Sequence, residues 1–559
     1  MSTRLPNCNV QRNKAIIMKN KLIAAGLLGA VMTMPAFAAN MVLNNLDPAG
    51  VGFNDPTPAA PVGGNAGTTV GQQRLVAYQR ALELWGKTLR SGVTIVVQGS
   101  FAGLTCDAGS GVLAQAGALQ IFADFPGAPL PGHWYGAALA NSLAGEDLAP
   151  GPLDPPNTPA DFESKDDIIA NFNGNVGKPN CIAGPGWYYG LDNNAGPGQI
   201  DFLDTFMHEV SHGLGFQNFA SESTGSTPRN DAGVALPDVY MANTLDLTNG
   251  RLWNTFNAAE IRASAIRTGK VVWSGQQVTA NAPLVLGPYE GIRFTGGLVK
   301  EVEFGASSFG AVPSVVNFNG AIVLGTDAGG STLGCNPITA PVAGKIAMVD
   351  RGVCTFVTKV KNAQNAGAAA VIIANSLNRA AFAPGGADAT ITIPSIGIST
   401  ADGAAVKAAA SAVAAAYFID PTRRAGMAEG YVRLYAPGAV EPGSSISHFD
   451  TAASPSLLME PFITTELQSS RSLDLTPSLM QDVGWKIETL KIGLCDSGVP
   501  SVLRTGQMLH ANVDACAAGA KNHGQFVSCM TKVTNAAKDS GLLTGSQHGA
   551  VMSCAARGF

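Results

Sequence analysis

The stretch His208-Glu209-Val210-Ser211-His212, followed at once by Gly213-Leu214-Gly215-Phe216, constrains this 559-residue chain more than any other feature. Residues four apart lie on one face of a helix, so both imidazoles can reach a single metal ion with Glu209 beside it. With 7 His and 40 Asp plus Glu in the chain, a His-acid-x-x-His pattern is expected only about 0.006 times by composition, which sets accident aside. The flanks agree. Ile200, Phe202, Leu203, Phe206, Met207, Val210 and Leu214 supply the apolar faces of a buried helix, Asp201 or Asp204 stands near its start, and Gly213 and Gly215 end it.

Two imidazoles and a carboxylate at this spacing predict a zinc site with Glu209 as general base, the arrangement of a metalloprotease. A catalytic zinc ion takes a third protein ligand and keeps a position for water. The residue three after Gly215 is Asn218, whose neutral amide is a poor zinc donor beside imidazole or carboxylate. The other histidines are His133, His448, His510, His523 and His548, and the last three fall in a cysteine-bearing tail. Glu260, in Asn257-Ala-Ala-Glu260-Ile-Arg-Ala-Ser, is a rival ligand from a later helix. His448 stands in Gly443-Ser-Ser-Ile-Ser-His448-Phe-Asp450, and Leu457-Leu-Met459-Glu-Pro461 follows shortly.

With the Gly-Leu-Gly exit, these two segments resemble the leishmanolysin-like branch of the metzincins, whose third histidine is displaced by an insertion and followed by a methionine-containing turn. The resemblance implies that His448 is the third ligand of one catalytic Zn2+ and that Met459 belongs to the turn beneath it. It implies an endopeptidase acting on proteins or peptides.

Residues 1–38 hold five basic residues and no acidic one, so their removal takes the net charge from -5 to -10 and makes nucleic acid an unfavourable partner. Lys19-Asn-Lys21, an apolar run from Leu22 to Met34 and Ala36-Phe37-Ala38 read as a signal peptide cleaved before Ala39, for which Met18 is the more ordinary start. No later apolar stretch is long enough to span a bilayer, so export without an anchor is expected, to the periplasm or the exterior. Eight cysteines remain, and an even number in an exported chain points to disulfides. Cys106 with Cys181 and Cys335 with Cys354 are the expected local bridges, with a latency thiolate at Cys106 as the less simple alternative. Cys495, Cys516, Cys529 and Cys554 allow three connectivities. Asp47, Asp55, Asp192 and Asp201 offer carboxylates to calcium in Gly- or Asn-rich segments, but ordinary loop acids are the simpler reading. A monomer is expected.

The fold class expected is α+β, a zincin catalytic domain interrupted by a second module. Residues 39–284 form its first part, with a helix at Gln72 to Leu89, a strand at Val93 to Val97 and then the metal-bearing helix. Residues 285–425 turn to short β-branched strands between Gly-rich turns. Gly344-Lys-Ile-Ala-Met-Val-Asp-Arg-Gly-Val-Cys354-Thr-Phe, Lys359 to Gly367 and Ile393-Pro-Ser-Ile-Gly397 within them resemble the protease-associated (PA) domain, a β-rich α/β module that is not itself catalytic. Residues 426–490 return to the catalytic part, ending in a helix capped by Asp474 or Thr476. Residues 491–559 form a small helical, disulfide-bonded appendix. The rival to a protease is a catalytically idle binding protein on a protease scaffold, which an intact Glu209 argues against. A serine peptidase lacks its G-x-S-x-G elbow here.

Overall fold

The computed structural model describes residues 38–108, 111–155, 164–376 and 380–558. The signal-peptide reading therefore lies outside the described residues except at Ala38. Two compact units emerge, one within Met1–Arg262, Trp273–Val285 and Ser456–Phe559, the other within Ala263–Val272 and Leu286–Pro455.

In the first unit, strand β1 (Met41–Asn45), helix α1 (Val70–Thr88), β2 (Ile95–Ala102), β3 (Ala114–Ala118), β4 (Ile168–Asn173) and helix α2 (Phe202–Leu214) follow in order. The strands make a sheet of order β1-β2-β4-β3, parallel except for the antiparallel edge strand β3. Thr69 caps α1 by accepting from the Gln72 amide, and Asp201 caps α2 by accepting from the Asp204 amide, so each helix starts where a side-chain oxygen meets a first-turn N–H. The aromatic faces interlock: Tyr78 of α1 lies 4.0 Å from Phe206 of α2, and Phe172 of β4 lies 5.0 Å from Phe202, ring centre to ring centre.

Gly213 lets α2 lie against the sheet, because a Cβ at that position would meet Ile168 Cγ2 of β4 at 2.3 Å. Gly215, at φ +130°, then turns the chain out of the helix. The Trp485 indole donates to Leu214 O at 2.6 Å and satisfies one terminal carbonyl.

The second unit holds β5 (Pro288–Gly296), β6 (Lys300–Val302), β7 (Gly305–Ala306), β8 (Asn319–Leu324), β9 (Ile346–Asp350), α3 (Phe356–Asn365), β10 (Ala370–Ala374), β11 (Ser395–Ile398), α4 (Thr400–Ala408), β12 (Val413–Arg424) and β13 (Tyr431–Arg433). Strands β5 to β12 form one eight-stranded sheet of order β6-β5-β12-β8-β9-β10-β11-β7. The β8-β9-β10-β11 stretch is parallel, with buried, β-branched strands such as Ile346-Ala-Met-Val349 and Ala370-Val-Ile-Ile373. Compactness carries this unit past residue 425 to Pro455, because the Leu434 amide bonds Val271 O, Asp450 N bonds Arg433 O and Gly287 N bonds Ser454 O.

The first unit closes with α5 (Thr476–Val483), a hairpin of β14 (Thr489–Ile492) and β15 (Cys495–Pro500), and helices α6 (Leu509–Gly519), α7 (His523–Asp539) and α8 (Gly545–Ala555). Leu475, not Asp474 or Thr476, occupies the cap position of α5 and caps nothing with its side chain. Asp474 still serves the first turn, since its Oδ1 accepts from the Thr476 amide at 3.2 Å. The tail packs Leu490, Leu509, Phe526, Met530 and Val551 into a core of its own. Four disulfides join Cys106 to Cys181, Cys335 to Cys354, Cys495 to Cys554 and Cys516 to Cys529, choosing one of the three pairings left open for the tail. Among the described residues no helix is long and apolar enough to cross a membrane.

Candidate metal centre

Helix α2 is buried along its whole length, and His208, Glu209 and His212 are only 6, 7 and 8% exposed. Burial penalises the charged form of each side chain. It pushes His208 down to about 3, with His212 adding to the effect, and His212 down to about 4. Both rings are therefore neutral near pH 7 and keep a lone pair. The same desolvation pushes Glu209 up to about 8, opposed by a hydrogen bond from the backbone of Ala116 on the edge strand β3.

The tautomers follow from the partners. His208 Nδ1 lies 2.7 Å from Leu458 O, His212 Nδ1 lies 2.8 Å from Phe216 O, and His448 Nδ1 lies 2.8 Å from Ser444 O. A carbonyl oxygen only accepts, so each Nδ1 carries a proton, and in the neutral rings of His208 and His212 Nε2 presents its lone pair. His208 Nε2 and His212 Nε2 face each other at 3.1 Å. Two bare lone pairs at that separation repel, and a cation bound to both removes the repulsion. A backbone carbonyl holding the far nitrogen of each ring is the usual support of a metal-ligating histidine. His448, in the second unit, is buried like His208 and His212, at 4% exposed. Imidazole nitrogens are a donor type that fits Zn2+.

Met459 is fully buried in a turn whose backbone does work of its own. Leu458 O receives the His208 proton, Leu458 N donates to Asp474 Oδ2 at 2.5 Å, Leu457 N donates to Glu460 Oε1 at 2.8 Å, and Glu460 N returns to Leu457 O at 3.1 Å. Leu458, Glu460 and Ser444 were not singled out in the sequence, and Asp474 only as a candidate helix cap. Leu458 and Ser444 contribute through backbone carbonyls, Glu460 and Asp474 through carboxylates that accept from backbone amides, and only Glu460, three residues after Leu457, leaves a local pattern.

The rival ligands are engaged elsewhere. Glu260 sits in a short helix, Ala258–Ser264, and accepts from Arg251 at 2.6 Å and from the Asn257 amide at 2.8 Å. Asn218 donates to Glu222 Oε1 and accepts from the Ala220 amide. His133 bonds Pro131 O and Asn254. Among the acids considered for calcium, Asp47 accepts from the Phe53 and Phe101 amides, Asp55 from the Thr57 amide and Asp192 from the Tyr188 hydroxyl, while Asp201 caps α2.

The PA domain family matches residues 296–406, so the module expected from the sequence is present. No curated protein is similar enough in sequence to count as a relative. Among solved structures, similarity is found to a zinc aminopeptidase from Bacillus subtilis, at 25% identity over 26% of this chain and 36% of that one, with a TM-score of 0.18. An aminopeptidase from Aneurinibacillus sp. strain AM-1 aligns at 24% identity over 26% and 37%, TM-score 0.18. The subtilisin-like protease Apa1 from the Antarctic psychrotroph Pseudoalteromonas sp. AS-11 aligns at 19% identity over 24% and 34%, TM-score 0.19. The aligned stretch thus spans about a third of each of those proteins, and at these TM-scores the likeness says nothing of the rest of the chain.

Proposed function

We propose that this chain is an exported zinc-dependent endopeptidase of the leishmanolysin-like metzincin type. The observation that carries the reading is that three buried imidazoles each have Nδ1–H on a backbone carbonyl, two of them one helical turn apart on α2. His208, His212 and His448 are the zinc ligands, and Met459 belongs to the turn that supports His208. Four disulfides are compatible with export.

A zinc ion in this set supplies Lewis acidity, making a water molecule acidic enough to attack near neutral pH and polarising the scissile carbonyl. Glu209 does the proton chemistry. Its carboxylate takes a proton from the attacking water as the C–O bond forms, and delivers it to the amine nitrogen as the C–N bond breaks. The low polarity around Glu209 favours both halves, since a carboxylate held between charged and neutral forms accepts and returns a proton readily. The backbone carbonyls of Leu458, Phe216 and Ser444 keep the imidazoles from turning meanwhile.

Hydrolysis of an unfolded protein by the mature chain, beside Glu209→Ala at matched zinc content, tests this. Turnover should fall roughly 10²- to 10⁴-fold while zinc stays bound. Equal cleavage by both proteins, or release of terminal amino acids only, would refute the endopeptidase reading.

A further inference from the structure

The histidine that completes the proposed site is joined to the PA domain by a single guanidinium. Arg433, at the end of β13, is 6% exposed, and its side chain makes two ion pairs. One runs to Asp450, from Nη2 to Oδ2 at 3.0 Å. The other is a two-pronged pair with Glu303, of which the Nη2 to Oε2 contact measures 3.2 Å.

Asp450 lies two residues beyond His448 and is itself only 6% exposed, so the Arg433 charge is what makes its ionised form tolerable there. Backbone bonds reinforce the link: Asp450 N donates to Arg433 O at 3.0 Å, and Tyr435 N donates to His448 O at 2.9 Å. The segment bearing His448 is thus in register with β13 through its main chain and through one buried ion pair. Glu303 belongs to the other side of this link. It follows directly on β6, the edge strand that pairs with β5 (Val302 opposite Ile292), and it falls within the PA match. Its side chain is 39% exposed, so its half of the link is open to solvent.

We propose that Arg433 is the positioning residue of His448, and that Glu303 ties this position to the PA domain. The proposal rests on the reading of His448 as third ligand. Loss of the Glu303 pair leaves Arg433 bonded to Asp450 alone, free to shift by a side-chain rotation and to take the His448 segment with it. A substrate segment or other cationic partner that engages Glu303 at the sheet edge would act on the metal site by the same route.

The test measures zinc affinity of the full mature chain against a competing chelator, and the visible absorption of its cobalt-substituted form. Glu303→Gln, Arg433→Lys and Arg433→Met are compared, with His448→Ala as reference. Second-sphere partners change metal affinity by about 10- to 100-fold. Arg433→Met should weaken zinc by that order and move the cobalt spectrum toward that of His448→Ala, Arg433→Lys should recover part of the loss, and Glu303→Gln should weaken zinc several-fold at an unchanged melting temperature. Should Arg433→Met fail to fold, Glu303→Gln decides alone. Wild-type zinc affinity and cobalt spectrum in Glu303→Gln would overturn the proposal. An unchanged spectrum in His448→Ala would instead sink the third-ligand reading on which it rests.

Discussion

At the scale of single residues, the three imidazoles are positioned by groups that no sequence motif displays. The i, i+4 spacing of His208 and His212 was legible, because a helix fixes which residues share a face. His448 and Met459 were read only through a family resemblance, since they stand more than two hundred residues beyond α2 and no local periodicity ties them to it. The carbonyls of Leu458, Phe216 and Ser444 were not legible, because a backbone group has no letter of its own. Asp474, read in the sequence only as a candidate helix cap, also holds the turn that carries one of these carbonyls. It is buried, accepts from the Leu458 amide, and desolvation pushes its carboxyl up to about 7. A folded-state pKa raised above the ordinary value of about 4 means that its contribution to stability is complete below that pH and is lost as pH rises through about 7. Urea unfolding at pH 5 and pH 8 should therefore show a larger drop in the wild type than in Asp474→Asn. Parallel drops would show that Asp474 is ionised throughout.

At the scale of elements, α2 is defined at both ends by residues visible in the sequence, the Asp201 side chain at its start and the positive-φ Gly215 at its exit. The approach of α2 to the sheet was not visible. Gly213 was read as a helix terminator, yet it lies within the last turn and serves as a contact surface for Ile168. A helical glycine replaced by alanine ordinarily gains stability, by about 1 kcal/mol. Here a Cβ 2.3 Å from Ile168 Cγ2 reverses the sign. Gly213→Ala should lose about 1–3 kcal/mol in denaturant unfolding, the usual cost of overpacking. A gain would mean that α2 does not lie against β4 as described. The pairing in the tail was beyond the sequence for a different reason, since four cysteines on a short segment are spaced compatibly with every connectivity.

At the scale of the whole molecule, the PA module was legible from the alternation of β-branched runs with Gly-rich turns and from the PA-like segments. The limits of the second unit were not, because residues 426–455 join it through backbone bonds made far apart in sequence. The Cys106–Cys181 bridge closes 75 residues ahead of α2, and removing it should cost about 2–5 kcal/mol of stability, read as a lower urea midpoint in the Cys106→Ser/Cys181→Ser protein. An unchanged midpoint would mean that the bridge does not form in the exported chain. The claim from which the function follows is that three histidines, two on α2 and one far along the chain, bind one zinc ion. X-ray absorption at the zinc edge of the loaded mature chain tests it most directly. Three imidazole nitrogens and one further light atom at about 2.0–2.1 Å are expected, falling to two imidazoles in His448→Ala. Sulfur ligands, or the same three imidazoles after that substitution, would contradict it.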